Sequence, residues 1–184
     1  MANLIASLRR RIGFGLRSED GTATIPFVIF MPFYMLLVTS SVEMGMLMVR
    51  HVMLERGLDL AVRDLRLGTW TPPDQQELKS VVCNNAGIIP DCTDVIMIEL
   101  RPVDTTTWEP LSSGPTCVDR SAVIAPDEPA FTSGGEDQLM LVRACVKFRP
   151  LFPTSGAGFA MPKDDAGDYA LISASAFVNE PNGG

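Results

Sequence analysis

Residues 21–68 read GTATIPFVIFMPFYMLLVTSSVEMGMLMVRHVMLERGLDLAVRDLRLG, and the organisation of the whole chain follows from this stretch. Between Thr22 and Val49 the one charged side chain is Glu43. A helix rising about 1.5 Å per residue would make this run about 42 Å long, more than the roughly 30 Å hydrocarbon core of a bilayer. Pro26 falls near the helix start, where proline is tolerated, and Pro32 is expected to bend the helix two turns in. After Val49 the pattern changes. Leu54, Leu58, Ala61 or Val62, and Leu65 recur every three or four residues, which is the stripe of an amphipathic helix. Asp59 and Arg63 form an i,i+4 pair on another face. Gly68 and the Pro72-Pro73 pair supply the stop. One helix is therefore expected over residues 22–67, its first half in lipid and its second half against a domain.

The boundaries that result are a basic leader over 1–21, the transmembrane and extended amphipathic helix over 22–68, and an exterior domain over 69–184. The leader places Arg9, Arg10, Arg11 and Arg17 before the first acid, Glu19. Arginine is retained on the cytoplasmic side of inserted helices, so the N-terminus is expected inside. The apolar run exceeds the about 7–15 residues of a secretory h-region, and no small-x-small site closes it, so a discarded signal peptide is the weaker reading.

The net charge of −7 is unevenly placed. Residues 1–68 carry eight Lys and Arg against six Asp and Glu, whereas residues 69–184 carry seven against sixteen. An acidic domain is a poor match for nucleic acid, whose recognition needs clustered positive charge. All four cysteines, Cys83, Cys92, Cys117 and Cys145, lie in this acidic part. An even number confined to one side of a membrane helix reads as two disulfides in an oxidising compartment, the alternative being buried thiols in a cytosolic domain. Cys83 and Cys92 flank the turn-rich NNAGIIPD, so a local bridge is easy; Cys117 then pairs with Cys145 and clips a long loop to a strand.

Within residues 69–184, Asp74 with Glu77 three residues later resembles a capping box and opens a short helix running to about Asn85, with Gly87 beyond it. Three strands follow, at 94–103, 138–148 and 168–178, the last placing Ala170, Ile172, Ala174, Ala176 and Val178 on one face by alternation. Loops over 104–137 and 149–167 connect them, and GAGF at Gly156–Phe159 reads as ordinary loop, since it lacks the strand–turn–helix setting of a phosphate cradle. The expected fold class is thus α+β: a long N-terminal transmembrane helix continuing into an amphipathic helix, then a small antiparallel-sheet domain with disulfides.

No chemistry-bearing constellation stands out. There is one histidine, His51, beside Arg50 with no nucleophile partner evident, and no CxxC pair for zinc. No enzyme, metal, cofactor or small-molecule substrate is expected. Glu43 is the exception to blandness: a carboxylate in a membrane segment is costly and usually finds a partner, which makes Glu43 and the nearby Gly45 candidates for helix pairing.

The combination of a basic leader, Gly21 followed by small residues, a proline about ten residues in (Pro32) and a Glu-x-Gly near the far end of the apolar run (Glu43-Met44-Gly45) resembles the TadE/TadF-like minor pilins, or pseudopilins, of the tight-adherence (Tad) pilus. The resemblance covers residues 18 to about 68. It implies that a prepilin peptidase cuts after Gly21 on the cytoplasmic face and leaves a mature chain starting at Thr22. It also implies a bacterial inner-membrane location with the domain in the periplasm, and other pilins and Tad assembly proteins as partners beside the lipid bilayer. One departure stands out. Pilin-type sites usually carry Glu at the fifth mature position, to neutralise a neighbouring subunit's N-terminal amine, and here that position is Pro26. A tip or initiating subunit, an assembly factor that stays in the membrane, and an uncleaved anchor all fit that change.

Overall fold

The computed structural model describes residues 24–67, 74–107, 117 and 130–180. Its longest element is helix α1, Thr24–Arg66, 43 residues without interruption through Pro32. Helix α2, Gln75–Asn85, starts where the capping pattern placed it: the Asp74 side chain accepts a hydrogen bond from the Glu77 backbone N–H. A short helix α3, Cys92–Val95, leads directly into strand β1, Ile96–Pro102. Strand β2 is Leu139–Phe148 and strand β3 is Tyr169–Val178, with a one-turn helix α4, Gly156–Ala160, between them.

The three strands form one antiparallel sheet in the order β1-β2-β3. Register is set by pairs such as Ile98 with Ala144 and Arg143 with Ala174. The outer edge of β1 is covered by residues 130–132: Leu100 donates to Ala130 and accepts from Thr132 at 3.0 and 2.8 Å. This covers part of one of the two edges that a three-stranded sheet presents.

Helices α1 and α2 lie on one face of the sheet, α1 over β3 and α2 over β1. Strand alternation sends Ile96, Ile98 and Leu100 of β1, Met140, Val142, Ala144 and Val146 of β2, and Tyr169, Leu171 and Phe177 of β3 to that face. Leu54, Leu58, Ala61, Val62 and Leu65 of α1 and Leu78, Val82 and Ala86 of α2 meet them. The helices approach closely at Gly57, where a Cβ would stand 2.6 Å from the Val82 carbonyl oxygen and 3.3 Å from the Ala86 Cβ. The absence of a side chain at Gly57 is what lets the two backbones meet.

Two expectations differ in detail. Residues 94 and 95 belong to α3 rather than to the first strand. GAGF is a helical turn, because Ser155 caps it by accepting from the Gly158 N–H at 3.3 Å, while Lys163 donates to the Gly158 carbonyl at 2.6 Å. The alternating set Ala170, Ile172, Ala174, Ala176 and Val178 shares a face, as expected, and that face points away from the helices and is exposed. The larger side chains of Tyr169, Leu171 and Phe177 fill the space beneath α1 instead.

Candidate functional site

The two ends of α1 have different surroundings. From Thr24 to Val38 every residue except Met31 is exposed, including Phe27, Phe30 and Phe33 at more than 60%. From Glu43 onward one stripe is covered by the domain: Glu43, Arg50, Leu54, Gly57, Leu58, Ala61, Val62 and Leu65. The stripe repeats at about the spacing that keeps residues on one helical face. α1 is thus long and apolar enough to cross a membrane, and the apolar window that qualifies it is unburied by the rest of the chain.

Glu43 opens the covered stripe and is 1% exposed. Its carboxylate accepts two backbone hydrogen bonds from the β2–β3 connection, Oε1 from the Leu151 N–H at 3.2 Å and Oε2 from the Phe152 N–H at 2.8 Å. The donors sit between Pro150 and Pro153, which have no N–H of their own. Within the chain each oxygen of this carboxylate thus accepts a bond from the protein's own loop. Bonds from N–H groups to a carboxylate are among the stronger ones, and they offset the cost of placing Glu43 among apolar side chains.

One turn before Glu43, Ser40 Oγ lies 3.4 Å from the Ala157 N–H, and a Cβ at Gly156 would stand 3.1 Å from the same Oγ and 3.6 Å from Leu36 Cδ2. α4 therefore rests directly on the flank of α1. A Cβ at Gly158 would run into the Phe152 carbonyl, so the loop closes tightly on itself as well.

Two turns after Glu43, Arg50 is buried to 8% exposure. Its Nη1 donates to the Tyr169 hydroxyl at 3.1 Å and its guanidinium carbon lies 4.7 Å from the centre of the Phe148 ring. Cation–π attraction strengthens when water is excluded. Arg50 reads in sequence as a flanking charge, yet it fastens α1 to β2 and β3. No short-range signal marks it; its partners are 98 and 119 positions away.

Gly45 lies on the opposite side, with nothing within 4 Å of where its Cβ would be. With Ser40, Ser41, Met44, Met48, Leu37 and Ala157 it lines a shallow groove of about 480 Å³ open along α1. Gly21 and Thr22, the expected processing residues, lie outside the described residues.

The disulfides join Cys83 to Cys92 and Cys117 to Cys145. The first ties the end of α2 to the start of α3, nine positions on; the second ties residue 117 to the middle of β2. On the same outward face of β2, Arg143 bonds Glu99 of β1 through Nε at 2.9 Å and Nη2 at 2.5 Å, with Arg101 3.5 Å from Glu99. At the base of the β2–β3 connection Lys147 bonds Asp164 at 2.7 Å. That ammonium, aided by the Asp168 N–H, holds the Asp164 carboxyl below its ordinary pKa despite partial burial. The exposed Asp104 is held at about 2 by hydrogen bonds from Thr106 and Thr107.

No protein-family model, curated protein or solved structure matches the chain.

Among the described residues no group of three or more His, Cys, Asp and Glu side chains is arranged to hold a metal ion. His51 Nε2 lies 3.5 Å from Glu55 Oε1, one helical turn away, an arrangement common along helix surfaces. The described geometry positions a domain on a long helix, and the residues that do so are Glu43, Arg50 and Gly57.

Proposed function

We propose that this chain is a non-catalytic, membrane-anchored minor pilin or pseudopilin that helps assemble or prime a Tad adhesion pilus. The division of α1 carries this reading: an unclothed apolar half, then a half that forms the spine of a small disulfide-bonded domain. In the proposed setting the first half of α1 crosses the bacterial inner membrane once, with the N-terminus cytoplasmic and the domain periplasmic. The two disulfides support the periplasmic side, since such bonds persist in oxidising compartments. Prepilin peptidase trims the leader after Gly21, and other pilins and Tad assembly proteins meet the protein within and above the membrane. The groove beside Ser41 and Gly45 is where a neighbouring helix fits, because small residues four apart let helices approach. Glu43 supports the domain's seat on α1, and in this reading it is not the contact between subunits.

The second reading is an uncleaved single-pass periplasmic binding or envelope-scaffold protein. Pro26 favours it, standing where filament pilins usually carry Glu. N-terminal sequencing of the protein from membranes separates the two. A chain beginning at Thr22 supports the pseudopilin, and a chain that retains residues 1–21 supports the anchor.

A further inference from the structure

We propose that the connection between β2 and β3, residues 149–163, is a second membrane contact: a foot that seats Leu151, Phe152 and Phe159 in the outer face of an anionic phospholipid bilayer. The inference rests on the reading of α1 as a membrane helix.

Depth is the first argument. Glu43 is the twentieth residue of α1, and twenty residues at about 1.5 Å each span about 30 Å, the thickness of the hydrocarbon core. Glu43 is the one charged side chain between Thr22 and Val49, and a crossing of this length that keeps charge out of the hydrocarbon ends at its level. The foot is bolted to α1 at this level, by Glu43 to Leu151 and Phe152, and by Ser40 and Leu36 against Gly156 and Ala157. Leu36 lies seven residues nearer the middle of the helix, about 10 Å along its axis, so the tip of the foot dips below the level of Glu43 toward the acyl chains.

Composition is the second argument. The backbone of the foot is spent on α1 and on its own turn, while its large apolar side chains face outward: Phe159 is 78% exposed, Leu151 46% and Phe152 39%. Exposed aromatic side chains on an otherwise well-packed domain mark a surface that meets something apolar. Leu37 and Met44 of α1, both exposed, line a shallow groove together with Ala157, so apolar side chains of the helix adjoin the foot.

Charge is the third. Over residues 149–163 the charged side chains are Arg149 and Lys163, with no acid between them, in a part of the chain where acids outnumber bases sixteen to seven. The Arg149 side chain is 72% exposed, with its Nε 3.6 Å from the buried Asp168 carboxylate, and Lys163, which donates to the Gly158 carbonyl, stands 6.0 Å from the Phe159 ring centre. Acids resume at Asp164, which Lys147 holds. Two cations at the rim of an apolar tip suit phosphate headgroups above acyl chains. The foot would fix the domain's height and tilt on the membrane by adding a second point of contact beside α1.

The test uses the full chain in vesicles of phosphatidylcholine and phosphatidylglycerol in equal parts, with Trp70 and Trp108 replaced by Phe. A single Phe159→Trp reports the foot and a single Phe30→Trp reports the helix; Leu151→Trp repeats the foot measurement at a second exposed position. Lipids brominated near the headgroup end of the acyl chain quench a probe in the outer boundary zone, and aqueous iodide quenches one in water. The expected result is blue-shifted emission at position 159, strong quenching by bromolipid and weak quenching by iodide. Quenching by bromolipid at position 30 with iodide quenching at 159 and 151 would overturn the foot and leave the membrane helix standing. Shielding of 159 from both quenchers would mean that protein covers it, which also overturns the lipid assignment. Iodide quenching at all positions would remove the membrane reading and the foot together.

Discussion

Glu43 and Phe152, 109 positions apart, are joined by a hydrogen bond of 2.8 Å from the Phe152 N–H to the Glu43 carboxylate, and the neighbouring Leu151 N–H meets the other oxygen. A single side chain on the long helix thereby fixes the loop that returns from the sheet. Replacing Glu43 by Ala leaves two backbone donors without their acceptor, and the expected cost is about 2–4 kcal/mol of domain stability. Glu43→Gln keeps one acceptor and should cost less. Denaturation of the detergent-solubilised protein measures the loss, and limited proteolysis between residues 149 and 163 reports whether the loop has come away. Wild-type stability together with wild-type cleavage in Glu43→Ala would show that the latch contributes nothing.

Gly57 tests the packing of α1 on α2. Alanine at an exposed helical position is usually better than glycine by about 1 kcal/mol. Here the added methyl would face the Val82 carbonyl at 2.6 Å, a backbone atom that cannot rotate away. Overpacking of this kind costs about 1–3 kcal/mol and should outweigh the helical gain. Gly57→Ala is therefore expected to lower the denaturation midpoint, whereas Gly45→Ala, with open space around it, should raise or preserve it. A stabilised Gly57→Ala protein would mean that the two helices are not in contact as described.

Asp164 gives a pH dependence with a definite sign. Its folded pKa is depressed, chiefly by the Lys147 hydrogen bond, so the unfolded chain takes up its proton first as pH falls. The stabilisation is complete above the ordinary carboxylate value near about 4 and is lost on acidification through the lower folded value. Wild-type protein should thus lose more stability than Asp164→Asn between neutral and strongly acidic pH. Parallel losses in the two proteins would show that Asp164 is not linked to folding in this way.

The long helix and the three strands were legible because each has a simple period or composition. An apolar run, a three-four stripe, β-branched clusters and a capping Asp are local signals, and local signals survive without tertiary context. The orientation of β3 was not legible for a physical reason. The outward set of Tyr169–Val178 is apolar throughout, whereas the set that faces α1 includes Ser173 and Ser175, so polarity points the wrong way and volume decides: Tyr169, Leu171 and Phe177 fill the space under α1 better than the alanines opposite. The short helix over Gly156–Ala160 depends on a Ser155 cap and on Lys163, neither of which distinguishes it from a loop by pattern alone. Glu43 and Arg50 drew notice or escaped it according to their neighbours in sequence, while their roles depend on groups that only the closed fold brings near. Glu43 stood out because it is charged in an apolar run. Arg50 was lost among the charges that follow.

The most direct test of the central claim is the sidedness of a reporter fused behind residue 184. Alkaline phosphatase placed there should be active in intact cells and remain with the membrane until detergent is added, while a green fluorescent protein that matures only in the cytoplasm should stay dark. A fluorescent fusion with inactive phosphatase, or a chain that dissolves without detergent, would contradict an apolar helix in lipid carrying its disulfide-bonded domain outside the cytosol.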